Sequence, residues 1–283
     1  MEYLEVDRRP GSPEPAHPEL IARASGLRRL ARRLRPGAAG LIALSVLALW
    51  ELGVRGGIIE ALHFPSPTTI ARTVGRLLAN GELLEHTLAT LMRVGWGVGI
   101  GGTLGFGLGL AMGRSARLKG AVDPLVGALH PLPKIAILPL IMVLFGIGDL
   151  TLVVVIAAGS FFPMVINTVA GVSQINPIHF DIARIHRASR MRVMHRVVLP
   201  GAAPSVLAGL RLALNTALLI TVAVEMVAAR SGLGAMIWMA WTTLRTEEIY
   251  VALVATVVFG LAVNLALSLI SRYALPWLRE ETA

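Results

Sequence analysis

Six apolar stretches account for most of the chain, and they restrict its fold more strongly than any other feature of the sequence. They cover residues 38–55, 86–112, 121–145, 150–172, 201–225 and 249–270. A helix needs about 20 residues to cross the roughly 30 Å hydrocarbon core of a bilayer. Hydrophobic residues make up 55% of the chain and charged residues only 15%, which is more apolar than a soluble domain requires. The sequence therefore predicts an all-α fold, a polytopic membrane helix bundle with about six transmembrane helices.

Basic residues are concentrated between the apolar stretches and in both terminal segments, and the net charge is +9. The basic segments are the tail 1–35, the linker 113–119, the loop 184–196 and the C-terminal Arg272 and Arg279. With six spans all of them lie on one side, so the positive-inside rule predicts that both termini are cytoplasmic. The loop that contains Arg55, Arg72 and Arg76 fits this orientation least well, which leaves five spans as the alternative.

The chain divides where the first apolar stretch begins. Residues 1–35 are rich in proline, glutamate and arginine, and they are predicted to form a disordered cytoplasmic tail without a cleavable signal. Residues 36–283 are predicted to form one transmembrane domain, with a basic cytoplasmic loop at residues 176–200. After the first span, Ser66 and Pro67 followed by apolar residues at helical spacing predict a capped amphipathic helix along the membrane surface.

The sequence lacks the signatures of several classes of function. The arginines lie between apolar runs and aromatic residues make up only 5%, which argues against nucleic-acid binding. Neither a G-x-S-x-G elbow nor an H-E-x-x-H motif occurs, so no enzyme and no catalytic or metal site is predicted. The only lysines are Lys119 and Lys134, and neither completes a phosphate-binding G-x-x-x-x-G-K-[ST] loop. If ATP drives this protein, another chain must hydrolyse it.

A glycine recurs at every fourth position of the second apolar stretch. The five positions are Gly97, Gly101, Gly105, Gly109 and Gly113. Such a ladder allows another helix to approach closely, because helix association in lipid depends on backbone contact and packing. Packing within the subunit is the favoured interpretation, and a subunit interface or a pore lining is the alternative.

Polar side chains within the apolar stretches are few, and placing each of them in a membrane costs free energy. His130, Lys134, Asn167 and Glu225 are candidates for the translocation path or its gate. Lys134, like Arg93, has the alternative of snorkelling or pairing with main-chain carbonyls. Glu225 is either a solvated acid at a helix end or part of a gate. Three prolines interrupt the third stretch, and a helix broken in this way often borders a cavity.

The segment Asp181–Arg196 interrupts the apolar sequence with five arginines and is predicted to form a basic, amphipathic helical segment on the cytoplasmic side. One interpretation is an interfacial helix held by anionic lipid headgroups. The other is a docking site for a soluble partner. Charge alone does not decide between them.

The spacing within this segment resembles the "EAA" loop of permease subunits of ATP-binding-cassette importers. In that loop an acid-Ala-Ala start is followed by a glycine and, about a dozen residues later, by an apolar residue, any residue and Leu-Pro. Here the start is Asp181-Ile182-Ala183, the pair Ala188-Ser189 follows, and Val197-Val198-Leu199-Pro200 closes the pattern. Arg184 lies between these matches and belongs to the same predicted coupling loop. Arg187 stands where the family has glycine, so it must adopt a helical conformation or bear strain.

The resemblance extends over roughly residues 60–275 and is greatest to the permeases for nitrate, sulfonate, taurine and related small solutes. The similar stretches are Phe64-Pro65-Ser66-Pro67, "GFGLGLAMGRS", "VDPLVGALHPLPKIAILPL", "FGIGD", "FFPMVINTVAGV", and "GLRLAL" leading to Glu225 and Ser231-Gly232-Leu233-Gly234. Asn264 stands where an acid is expected in this family.

The resemblance implies the fold of a type I importer permease in a bacterial inner membrane. Two identical copies of the permease would form the path, with a cytoplasmic ATPase dimer below and a periplasmic solute-binding protein above. ATP and Mg²⁺ would be bound by the ATPase, and no cofactor by this chain. The segment Asp181–Arg196 would contact the ATPase, with Leu199-Pro200 breaking the chain into the next span. A secondary transporter or channel is the alternative, although the chain has no internal repeat.

Overall fold

The computed structural model describes residues 40–274, which contain helices and no strand. The chain divides into two units, with the boundary in the sequence between Ala61 and Leu62. In the first unit, residues 40–55 form helix α1, which ends at the turn of Gly56 and Gly57. The predicted tail 1–35 and the beginning of the predicted span 38–55 lie outside the described residues. The count of six spans therefore stays a prediction.

The second unit continues with one helix after another. In chain order they are α2 (Pro67–Ala79), α3 (Glu82–Arg114), α4 (Ala116–Leu129), the 3₁₀ helix Lys134–Ile137, α5 (Leu138–Phe145), α6 (Asp149–Ser173), α7 (Pro177–Ile185), α8 (Arg190–Val193), the π-helical turn Met194–Val198, α9 (Leu199–Ala228), α10 (Leu233–Thr242) and α11 (Thr246–Ala274). Between residues 40 and 274, α3, α6, α9 and α11 are each long and apolar enough to cross a membrane. They correspond to four of the predicted spans.

The predicted span 121–145 is not one straight helix. The segments Ala116–Leu129 and Lys134–Phe145 are bent by 88° at the proline-rich break. A proline ring clashes with the carbonyl of the preceding helical turn, and proline has no N–H to donate. Pro131 and Pro133 together therefore end the helix. The predicted interruption of this span is confirmed.

The glycine ladder of α3 packs against α6, which confirms the interpretation of packing within the subunit. A Cβ added at Gly105 would lie 2.5 Å from Phe161 O and 2.9 Å from Met164 Cβ. At Gly113 the added Cβ would lie 2.6 Å from Val172 Cβ. Only hydrogen fits at these positions, so the two backbones lie closer than any larger residue permits.

The order of these contacts gives the direction of each helix. Residue numbers increase together along α3 and α6, so the two helices are parallel. Along α6 and α9 they change in opposite directions, because Gly209 packs on Asn167 and Gly171 packs on Ser205. Since α3 and α6 are parallel, the chain must return from the Arg114 end to the Asp149 end through the bent pair of α4 and α5.

Helix α2 confirms the predicted capped amphipathic helix. Ser66 Oγ accepts a hydrogen bond from Thr69 N (3.3 Å), and Pro67 occupies the first turn, where its missing N–H costs nothing. Ile70 and Leu77 are buried, and α2 contacts α3 and α11. Arg76 also forms an ion pair with Glu248 of α11 (3.2 Å). The apolar face of α2 is thus covered by protein, and its position along the membrane surface stays a prediction.

Candidate functional site

The basic segment predicted to contact a partner folds as two short capped helices at the end of α6. Asn176 caps α7, because its side chain accepts from Ile178 N (3.0 Å). Ser189 caps α8 in the same manner by accepting from Arg192 N (3.3 Å). Both caps satisfy backbone donors that have no partner within the helix. Local sequence therefore determines where each of these helices begins.

Arg187 ends α7 in a left-handed conformation, with φ of +48°. Its N–H donates to Arg184 O (3.0 Å), and Ala188 N donates to Ala183 O (2.9 Å). These two bonds define a Schellman motif, whose left-handed position is usually glycine. Of the two conformations expected for Arg187, the strained one is observed, and the turn between the two helices is kept.

The surface of the segment combines apolar and basic side chains. Ile178, Ile182 and Ile185 are exposed at spacings of four and three residues, which places them on one stripe of α7. Met191 of α8 is exposed as well. Asp181 pairs with Arg184 (3.0 Å), both largely exposed to solvent. Ala183 and Ala188 are half-buried at the base of the turn.

The expected break at Leu199-Pro200 is wrong, because the chain remains helical from Arg190 to Ala228. Leu199 N donates to Met194 O across five residues, which is the hydrogen-bond pattern of a π-helix. Pro200 then lies in the first turn of α9, where a helix tolerates a residue without N–H. A widened turn replaces the break, so the helical backbone continues from α8 into α9.

A second cluster lies at the opposite end of α6 and is centred on Glu225. Its carboxylate is 0% exposed and accepts hydrogen bonds from Thr90 Oγ1 (2.9 Å) and Gly234 N (3.0 Å). Arg93 Nη1 forms an ion pair with the same carboxylate (2.7 Å). Gly232, with φ of +115°, packs so closely on the carboxylate that no Cβ fits there. The interpretation of Glu225 as a solvated acid is wrong.

Arg93 uses its guanidinium to join four elements at this end. It pairs with Asp149 at the start of α6 (2.7 Å) and with Glu225 of α9. It also donates to Ser231 O (2.5 Å) and to Ser231 Oγ (3.1 Å) in the loop before α10. Arg93 itself belongs to α3 and is 6% exposed. It was expected to snorkel or to bind main-chain carbonyls; the bond to Ser231 O confirms a carbonyl partner, while Asp149 and Glu225 are acidic partners that were not expected.

Lys134 was expected to pair with main-chain carbonyls, and this is confirmed. Its Nζ donates to Leu129 O (3.2 Å) and to His130 O, which are carbonyls at the end of α4. Leu129 O also accepts from Leu132 N (3.3 Å), whereas Pro131 and Pro133 have no N–H to donate, so the ammonium supplies a donor that the proline-rich break removes. Lys134 Nζ also lies 4.6 Å from the ring centroid of Phe162, and the His130 ring lies 5.8 Å from the same ring.

Asn167 is half-buried between α6 and α9 and donates to Pro163 O (2.8 Å) one turn earlier in its own helix. Along α6, the four candidates for path or gate therefore lie at three levels: Glu225 beside Asp149, His130 and Lys134 beside Phe162, and Asn167. They do not form a single site. Their role in the path or gate stays a prediction.

Sequence reasoning missed two polar residues on the exposed side of α9, Arg211 and Asn215. Asn264 of α11, which was noted only as a departure from the family pattern, donates to Asn215 Oδ1 (3.1 Å) and to Gly260 O (2.9 Å). The signal that could have found Arg211 is a charged residue inside the predicted span 201–225.

The fold and these two clusters define a multi-pass helical membrane protein with an exposed basic segment at one end of its bundle. The family model for the binding-protein-dependent transport system inner membrane component matches residues 101–280. The chain therefore belongs to this family of inner-membrane transport permeases, as its resemblance indicated.

Two relatives and one solved structure agree with this assignment. SsuC of Bacillus subtilis (strain 168), named as an aliphatic sulfonates transport permease, is 31% identical over 84% of this chain and 86% of its own length. TauC of Escherichia coli (strain K12), a taurine transport system permease, is 31% identical over 84% of this chain and 88% of its own. A chain of the inward-facing MetNI methionine ABC transporter superposes with a TM-score of 0.57 at 21% identity, covering 66% and 93%. This structure confirms the type I importer permease fold.

Proposed function

We propose that this chain forms the membrane path of an importer for a small solute of the sulfonate, nitrate or taurine type. Two copies of the chain would enclose the path. A separate ATPase dimer would supply the energy, with ATP and Mg²⁺ bound there, and a periplasmic binding protein would deliver the solute. The relatives SsuC and TauC, named for sulfonates and taurine, support this solute class.

The observation that supports ATPase coupling best is the exposed surface of α7 and α8. Ile182, Ile185 and Met191 form an apolar surface outside the helix bundle, and arginines surround it. A folded protein rarely leaves such a surface uncovered, and exposed apolar patches with polar rims are typical of protein interfaces. A soluble partner with an apolar groove and an acidic rim would complement it.

The direction of the helices supports the proposed orientation. Because α3 and α6 are parallel, the linker after Arg114 and the basic segment after Ser173 lie at the same end of the bundle. Both are basic, so the positive-inside rule places this end in the cytoplasm. The cluster around Glu225 is then on the periplasmic side, where a binding protein would dock, and α11 ends at the cytoplasmic side.

The helical continuity from Arg190 to Ala228 supports a mechanical role. ATPase closure would displace α7 and α8, and an uninterrupted helix transmits such a displacement as a rigid body. The far end of α9 is fixed to α3 and α10 through Glu225. A movement applied at Arg190 would therefore reach the periplasmic end of the bundle, and nucleotide would shift the balance between two states of the path.

Co-purification with the ATPase encoded in the same gene neighbourhood tests this function. Ile185 is 78% exposed on α7, and Ile147 is 77% exposed at the opposite end of α6. We expect Ile185→Glu to lose the ATPase in detergent, because a carboxylate would be desolvated in the contact. Ile147→Glu is the matched control and should retain it. Equal binding by the parent and Ile185→Glu would contradict the proposed contact.

A further inference from the structure

One face of α9 carries an exposed arginine, Arg211. Arg211 is exposed, and its guanidinium makes no hydrogen bond or ion pair with any residue between 40 and 274. The opposite face of α9, with Ala213, Ala217 and Val224, is buried in the bundle. Arg211 therefore points away from the core of its own subunit.

The position of Arg211 along α9 is far from both ends. Helix α9 contains 30 residues, and at 1.5 Å per residue it is about 45 Å long. Arg211 lies about 18 Å and Asn215 about 24 Å from its first residue, so the two straddle the midpoint. Charged side chains at this depth face a water-filled cavity or a partner rather than lipid.

Asn215 adds a second set of donors on the same face. It lies one helical turn after Arg211, a spacing that makes side chains neighbours. Its Oδ1 already accepts from Asn264 (3.1 Å), whereas its Nδ2 has no partner in the described range 40–274. Asn264 thus occupies the oxygen and leaves the nitrogen free. The face therefore presents N–H donors from Arg211 and from Asn215 Nδ2, and such donors complement an anion.

We propose that Arg211 and Asn215 form an anion-binding site halfway across the membrane, on the side of α9 that faces the translocation path. Asn264 is a positioning residue, because it fixes the orientation of the Asn215 amide. The inference rests on the proposed transport function and specifies the chemical group that the path recognises.

A sulfonate fits this donor set. Its oxygens share one negative charge, and a guanidinium donates to two of them in parallel. The Asn215 amide can donate to the third. A neutral solute offers no charge to Arg211 and would leave the guanidinium uncompensated away from bulk water. Few direct partners keep the binding weak enough for release, which a transport site requires.

A lipid phosphate is the other anion within reach of a membrane helix. It would require the Arg211 side chain to extend along α9 towards the headgroups, as snorkelling arginines do. In that arrangement the charge serves anchoring, and its removal leaves solute uptake unchanged. Transport measurements therefore distinguish the two sources of the anion.

Uptake by the complete complex in liposomes, with ATP and the loaded binding protein, tests the site. The probes are radiolabelled taurine and ethanesulfonate. We expect Arg211→Gln to reduce uptake at least tenfold, and Arg211→Lys to retain an intermediate rate because it keeps the charge but not the paired donors. Arg72→Gln is the matched control, because Arg72 is also exposed and unpaired within residues 40–274 but lies on α2. It should transport like the parent.

The outcomes separate this inference from the proposed function. If the parent does not assemble with an ATPase, the proposed function fails. If the parent assembles and hydrolyses ATP but takes up neither probe, or if Arg211→Gln takes them up at the parental rate, the anion site is overturned. Should Arg211→Gln fail to assemble, Asn215→Asp decides, since it adds a carboxylate of the same size beside Arg211. Uptake at the parental rate in Asn215→Asp would also overturn the site.

Discussion

Arg93 and Arg211 both lie far from the ends of membrane-spanning helices, and their surroundings in the structure are opposite. Arg93 of α3 is 6% exposed and binds Glu225, Asp149 and Ser231. Arg211 of α9 is exposed and binds nothing between residues 40 and 274. In sequence the two look alike, since each is a cation within an apolar stretch. The difference arises from partners that lie far away along the chain.

The comparison distinguishes a charge that belongs to the fold from a charge that belongs to function. A buried guanidinium is tolerable only when nearly all its donors are paired, and Arg93 satisfies this condition through three elements other than its own. An unpaired charge in a membrane helix is a cost that packing does not explain. We therefore expect substitutions of Arg93 to act on stability and substitutions of Arg211 to act on transport.

The largest effect is expected for Arg93→Met. It leaves the Glu225 carboxylate buried without its cation, and breaking a buried ion pair in this way costs about 3–5 kcal/mol. The yield of monodisperse protein in detergent and the midpoint of thermal unfolding should both fall sharply. The double variant Arg93→Met with Glu225→Gln should recover much of the loss. If Arg93→Met is as stable as the parent, the cluster is not structural and a gating role for Glu225 gains support.

A smaller change in stability is expected at the two non-glycine residues whose backbone is strained. Arg187 and Leu244 both have left-handed φ values, +48° and +56°, and both follow a helix in a Schellman motif. Glycine removes the strain, which is about 1 kcal/mol. Arg187→Gly and Leu244→Gly should each raise the unfolding midpoint by roughly 2 °C.

The same two substitutions distinguish the effect of backbone strain on stability from an effect on coupling to the ATPase. Only Arg187 lies in the segment proposed to contact the ATPase. We expect ATPase-driven uptake to change in Arg187→Gly and to stay constant in Leu244→Gly. Equal transport in both variants would mean that the arginine side chain does not contribute to the contact.

The smallest change in stability is expected for Arg211→Met. This substitution removes a charge without partners and keeps a long side chain on an exposed face, so the unfolding free energy should change by less than about 0.5 kcal/mol. Thermal unfolding beside Arg93→Met measures the difference directly. A loss of stability as large as that of Arg93→Met would show that Arg211 is needed for folding. The distinction between the two arginines would then be wrong.

Local chemistry made much of the fold predictable. The glycine ladder predicted close packing because its spacing of four places every glycine on one stripe of α3. Ser66 and Pro67 predicted the start of α2, and the prolines near Lys134 predicted the broken span. Each of these features acts over a few residues, so the sequence contains the complete signal.

The errors have a different origin. Leu199-Pro200 was expected to break the chain, but a π-helical turn widens the helix and allows it to continue. Glu225 was considered solvated because it lies near a helix end, yet α10 and the loop after Ser231 cover it. Arg211 was overlooked although it is a charge inside a predicted span, and its lack of a partner between residues 40 and 274 is visible only in the tertiary structure.

The sequence by itself determined the class of protein, the positions of four long spans, the broken span and the basic segment after α6. Those properties follow from hydropathy, spacing and the local effects of proline and glycine. Only the tertiary structure decided which charges are paired, because Arg93 and Glu225 are 132 residues apart and meet through the packing of α3, α6 and α9. The same packing leaves Arg211 uncovered, since the buried side of α9 is occupied by small residues against α6.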